Sequence, residues 1–372
     1  MRPTGGRHAR LHKESLYWLL IGLPLAVLLE GRHGEPLLIF VLSCAAIIPL
    51  AKLIGEATEE LAVYTGPKLG GLLNATLGNA AELIITIFAL REGLVDLVRA
   101  SITGSIIGNL LLVLGLSLFI GGVKNGRQTF DRRNAGINAT LLILALVAMV
   151  IPSMFDSAIV GDLHAEVPLS EVVAVVLILL YGMSVYFSFT AKDPTTDRES
   201  AAVDIHHAKW SVRTSGIVLA VATLGIVLMS ETLVGAVEAV TVQFGLSEFF
   251  IGVILIPVIG NVAEHLVAVQ VAYKNKIELS LSISLGSSLQ VAMFVAPVLV
   301  FVSLLFGTPM LLVFNTFELV ALAAAVLIAA FIALDGESNW LEGAMLMGVY
   351  LILAMAFLVL PVAEQLAAGA AH

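Results

Sequence analysis

Runs of fifteen to about thirty apolar residues recur along the whole chain, and no other feature of the sequence limits the fold as severely. A membrane-crossing helix needs about 20 mostly apolar residues. Eleven runs qualify, at roughly 16–30, 37–63, 69–91, 94–121, 135–152, 168–190, 212–243, 249–273, 277–306, 310–334 and 340–366. Transmembrane β-strands would alternate polar and apolar residues in segments of about ten, and these runs do not. The expectation is an all-α integral membrane protein of about eleven transmembrane helices. Of the 372 residues 59% are hydrophobic and 13% charged, against roughly 25% charged in soluble domains. A soluble enzyme, a secreted disulfide scaffold and a disordered chain are excluded.

Charge sets the expected orientation. Of the nineteen Lys and Arg residues, fifteen fall on one side if the N-terminus is cytoplasmic. They include Arg2, Arg7, Arg10, Lys13, Lys124, Arg127, Arg132, Arg133, Lys209 and Arg213. Arg32, Arg91 and Arg99 fall outside, and Lys52 lies within a run. This is a positive-inside pattern; it predicts a cytoplasmic N-terminus, an odd number of spans and an external C-terminus in the inner (plasma) membrane of a prokaryote. The basic start resembles a signal peptide, but no Ala-x-Ala site follows, so 16–30 reads as a retained first span. The net charge of −9 and the lack of a basic stripe predict no nucleic-acid partner. The single cysteine, Cys44, reads as a small core residue.

Two segments repeat. Gly78-Asn79-Ala80-Ala81-Glu82 and Gly260-Asn261-Val262-Ala263-Glu264 are 182 residues apart. The same offset pairs Glu56 with Glu238, Gly70 with Gly252, and Gly104-Ser105 with Gly286-Ser287. The chain divides into a tail and first span (1–35), a first five-span repeat (36–190), a cytoplasmic linker (191–211) and a second repeat (212–372). Five spans per unit is odd, so the second repeat enters the bilayer inverted, as in many secondary transporters.

A carboxylate in mid-membrane costs at least about 2.5–3.5 kcal/mol, so Glu82 and Glu264 need a partner. No Lys or Arg lies at comparable depth in spans three, four, eight or nine, which leaves protons and cations. Asn79 and Asn261 sit three residues before the glutamates and share their helix faces. Ser105, Ser287 and Ser288 offer hydroxyls from adjacent spans. Gly78, Gly260 and Pro257 mark bent or broken helices whose carbonyls can face a cavity. Such an oxygen-only donor set suits a hard divalent cation such as Ca²⁺. Without a metal, burial favours the protonated carboxyl groups; with the metal bound, protonation is disfavoured. One site then holds either protons or Ca²⁺, which with alternating access gives antiport. Glu56, Glu238, His265 and Gln290 are candidates for the proton and ion pathway. Each of these residues also has a structural reading as helix glue, packing or a satisfied buried group. His206 and His207 read as a solvated pair.

The stretches 78–85 and 260–265, with Gly104-Ser105-Ile106-Ile107-Gly108-Asn109-Leu110 and Gly286-Ser287-Ser288-Leu289-Gln290, resemble the paired signature of the calcium/cation–proton exchangers. These are the CAX-type branch of the calcium/cation antiporter superfamily. The resemblance covers spans two to eleven. It implies one extra helix plus two inverted five-helix repeats, Ca²⁺ export driven by protons, ion binding at Glu82 and Glu264 beside Asn79 and Asn261, and no cofactor. The sodium-coupled branch usually carries Pro before the motif glutamate, where Ala81 and Ala263 stand here. The long acidic stretch common between the family's halves is replaced by the short 191–210 segment.

The alternatives are a sodium-coupled cation exchanger of the same superfamily, a passive channel and an intramembrane hydrolase. Channels usually place carboxylates in rings. The hydrolase reading is weakest, because Asn261-Val262-Ala263-Glu264-His265 lacks the first His of a His-x-x-Glu-His zinc set. The chain is therefore expected not to be an enzyme. Its expected partners are the lipid bilayer, Ca²⁺ and protons, and the reading is compatible with a homo-oligomer.

Overall fold

The computed structural model describes residues 16–159, 163–190 and 208–370. The N-terminal basic residues, most of the linker, His206 and His207 lie outside the described residues. Within them the fold is helical apart from one two-residue antiparallel bridge. In chain order the helices are α1 (Leu16–Glu30), α2 (Pro36–Leu77), α3 (Ala80–Arg91), α4 (Val95–Asn125), α5 (Arg132–Ile159), α6 (Leu163–Thr190), α7 (Val212–Phe244), α8 (Glu248–Tyr273), α9 (Ile277–Leu305), α10 (Thr316–Asp335) and α11 (Trp340–Ala370). The bridge pairs β1 (Gln128–Thr129) with β2 (Glu337–Ser338).

Nine helices among the described residues are long and apolar enough to cross a bilayer. The other two expected runs are helical in shorter pieces. Run 16–30 is α1, which opens on a 3-10 turn, Leu16–Ile21. Run 69–91 is divided between the end of α2 and α3, with a turn at Gly78 and Asn79. Within α2 the chain kinks at Gly66, whose φ of 79° is open to glycine at little steric cost.

Run 310–334 is helical only from Thr316. Asn315 and Glu318 form a capping box that starts α10 there, and the residues before it are irregular. The backbone N–H groups of Met310, Leu312 and Phe314 donate to the hydroxyls of Ser303, Ser170 and Ser153, at 2.7, 3.2 and 2.9 Å. Irregular backbone in a membrane protein must find partners inside the protein, and three serines from three helices supply them.

Contacts divide the chain into two compact units. One comprises Met1–Phe88, Thr195–Gly245 and Ile259–Ala263; the other comprises Ala89–Pro194, Leu246–Val258 and Glu264–His372. Each draws on both halves of the sequence. In the first, α7 packs along α2, and α1 packs on α2. Leu50, Ile54, Ile226 and Met229 are buried there. In the second, α4 packs on α11 and α5 on α10, around Leu110, Leu114, Met149 and Leu346.

Three helices of the second unit contain π-helical turns, at Gly108–Val113 in α4, Ile251–Leu255 in α8 and Val291–Val295 in α9. The segments in α4 and α9 fall at the same register under the 182-residue offset. The segment in α8 explains Pro257. A proline ring clashes with the carbonyl four residues earlier, here that of Val253, and the wider turn relieves the clash without ending the helix. Pro257 therefore does not break span eight as expected. The Val253 carbonyl lies against Gly104 of α4, where any Cβ would collide with it. Gly252 likewise sits against Leu97 and Ala100. Small residues let membrane helices approach this closely, which gives Gly104 and Gly252 a structural role.

Candidate functional site

The first glutamate stands at a helix start. The turn at Gly78 and Asn79 separates α2 from α3, the Asn79 carbonyl accepts the Leu83 N–H at 2.9 Å, and Glu82 lies in the first turn of α3. The free N–H groups and positive dipole end of a helix favour a carboxylate at this position. Glu82 and Asn79 are fully buried. From α8, Asn261 donates its amide to Glu82 Oε2 at 3.2 Å. Thr86, one turn along α3, bonds back to the Glu82 carbonyl at 2.8 Å. Glu82, Asn79 and Asn261 thus stand together within the first unit.

The second glutamate is in mid-helix. Glu264 lies within the continuous α8, where the backbone N–H groups are already bonded within the helix. It is half-buried, and its Oε2 atom is inaccessible and accepts no hydrogen bond. The Ser287 side chain bonds the carboxylate. The same hydroxyl accepts from the Asn109 amide at 3.0 Å, and Asn109 Oδ1 lies 3.2 Å from His265 Nε2. Glu264, Ser287, Asn109 and His265 form one hydrogen-bonded chain within the second unit, which requires the His265 tautomer that carries its proton on Nε2.

The other candidates separate. Ser105 and Ser288 are buried, but the Ser288 hydroxyl donates to the Ser284 carbonyl of its own helix at 2.9 Å. Gln290 is half-buried at the residue before the π turn of α9. Glu56 accepts from the Tyr17 hydroxyl at 2.9 Å and lies 3.9 Å from Lys52 Nζ. Its repeat mate Glu238 is exposed on α7. Asn109 was absent from the expected site residues. Its signal was a lone amide four residues after Ser105, on the same helix face. Among the described residues no group of three or more His, Cys, Asp and Glu side chains could hold a metal. A bound cation would rely on amide, hydroxyl and carbonyl oxygens beside the carboxylates, a donor set that suits Ca²⁺ rather than a soft metal.

The fold and these two carboxylates define a multi-pass helical membrane protein with ionisable groups inside its spans. The chain belongs to the sodium/calcium exchanger protein family, whose pattern it matches over residues 35–190 and 214–359. It is 44% identical over 377 residues to a Ca²⁺/H⁺ antiporter of Aphanothece halophytica, covering 96% of this chain and 100% of the relative. It is 46% identical over 351 residues to the Ca²⁺/H⁺ antiporter ChaA of Bacillus subtilis strain 168, covering 93% and 99%. The solved structure of native YfkE superimposes with a TM-score of 0.81 at 45% identity, covering 92% of this chain and 99% of that one.

Proposed function

We propose that the chain is a secondary active transporter that exchanges cytoplasmic Ca²⁺ for protons by alternating access. The observation that carries this reading is the duplicated intramembrane glutamate, fully buried at Glu82 and half-buried at Glu264, set in each case among amide or hydroxyl groups. Such a carboxylate is affordable in a membrane only when neutralised, and a proton or a divalent cation neutralises it in turn. The full-length similarity to two Ca²⁺/H⁺ antiporters supports the same ions.

In this reading Glu82 and Glu264 carry the exchanged charges, Asn79, Asn261, Ser105 and Ser287 supply oxygens, and Asn109 and His265 hold the second carboxylate's surroundings. Glu56, Glu238 and Gln290 are assigned to the ion and proton pathway, and Ser288, bonded to its own helix, to packing. The architecture is one helix plus two inverted five-helix repeats, counting α1 and the broken 69–91 segment as spans. The matching π turns of α4 and α9 support the repeat. The charge count supports a cytoplasmic N-terminus, and the bacterial relative supports a prokaryotic plasma membrane.

Proteoliposomes with an imposed pH gradient test the proposal. Ca²⁺ should move against its own gradient when protons flow the other way, and replacing sodium with choline should leave the flux intact. Gradient-independent flux at channel rates, or a strict sodium requirement, would remove the proton-exchange reading.

A further inference from the structure

A second site lies away from the glutamates. A shallow depression of about 760 Å³, open to the surroundings of the bundle, lies between the start of α5 and the end of α10, lined by Arg132, Arg133, Ile137, Thr140, Leu141 and Leu334 among others. Arg132 is the first residue of α5. Leu141 comes nine residues later, about 13 Å deeper along the helix axis at 1.5 Å per residue. The depression therefore has a cationic rim at the helix ends and an apolar floor facing the surrounding hydrocarbon, where Leu334 is exposed.

Asp131 also lines the depression, and its Oδ1 accepts the Arg133 backbone N–H at 2.7 Å. Glu337 is ion-paired with Arg127. Asp335 follows Leu334 but does not line the depression. The Arg132 stem lies along Gly336, 3.3 Å from where a Cβ would stand, which fixes the direction in which that side chain leaves the backbone.

We propose that this groove binds an anionic phospholipid of the bilayer, its phosphate between Arg132 and Arg133 and one acyl chain along Ile137, Leu141 and Leu334. Guanidinium groups pair with phosphate through parallel N–H bonds. An inorganic anion would leave the apolar part of this open surface uncovered. Basic pockets between membrane helices on the cytoplasmic side bind acidic headgroups, and the charge count assigns this end of the bundle to that side. The inference rests on the membrane reading and not on the identity of the transported ions.

The test uses the purified full chain and native mass spectrometry with phosphatidylglycerol or phosphatidylcholine of matched acyl chains. The wild type should retain phosphatidylglycerol in preference to phosphatidylcholine. Replacing both arginines (Arg132→Ala, Arg133→Ala) should lower that retention about tenfold or more, since each basic residue near an anionic surface contributes roughly a factor of five. Thr140→Phe fills the floor without touching a charge and should also displace the lipid, which keeps the test decisive if the double variant folds poorly. Lys209→Ala with Arg213→Ala, removing a basic pair elsewhere on the same expected side, should change nothing. Equal retention of both lipids, retention unaffected in both groove variants, or displacement by glycerol phosphate would overturn the proposal.

Discussion

The surroundings of Glu82 and Glu264 answer the same problem in two ways. In the first half the chain breaks, and Glu82 takes the start of a new helix. In the second the chain inserts a π turn at Ile251–Leu255 and runs on, so Glu264 has no helix terminus beside it. The corresponding residues 69–73 of the first half are ordinary α-helix. A helix start and the Asn261 amide serve the first carboxylate, while Ser287, Asn109 and His265 surround the second. A repeat in sequence therefore does not make the two carboxylates equivalent. The first depends mainly on local backbone geometry, and the second on side chains from other helices.

Experiments can break or sharpen this contrast. Glu82→Gln and Glu264→Gln should each lower proton-driven Ca²⁺ flux by about 100-fold or more, because removing one partner of a buried charge pair costs about 3–5 kcal/mol. Substantial flux in either variant would leave one glutamate carrying the exchange alone. Asn261→Ala removes a bond to a charged acceptor, so apparent Ca²⁺ affinity should fall about tenfold, from a loss of roughly 1.5–3 kcal/mol. Asn109→Ala removes weaker neutral bonds of about 0.5–1.5 kcal/mol each, and its effect on affinity should be smaller, about three- to tenfold. An Asn109 effect larger than that of Asn261 would invert the contrast. Ser288→Ala should stay within about twofold of wild type in flux, as expected for a hydroxyl bonded to its own helix.

Much of this was legible in advance, for definite reasons. Apolar runs report helices because lipid permits little else; Gly78 does mark a break, but the same Gly-Asn pair at Gly260 and Asn261 runs through α8 unbroken, so the pair alone does not decide where the chain turns. The irregular segment before Thr316 reads as part of a span because Met310, Leu312 and Phe314 are as apolar as any span. The Asn315 and Glu318 capping signal carried the boundary instead. The π turns left no hydropathy trace, since one extra residue in an apolar helix changes no average. Glu56 and Glu238 matched in register, yet only Glu56 meets Tyr17, which belongs to a helix with no repeat mate. The Asn109 link depended on how α4, α8 and α9 cross, which no linear pattern encodes.

The π turn of α8 has a consequence for how length changes act. In an α-helix each residue advances the direction of the next by about 100° and the axis by 1.5 Å. The wider turn at Ile251–Leu255 takes up one extra residue without changing that direction downstream. Deleting one residue within it would restore regular winding and leave Asn261 facing Glu82, whereas deleting one from the regular turn between Ile256 and Gly260 would swing both Asn261 and Glu264 by about 100°. A site could be dismantled in this way with every one of its residues still present in the sequence.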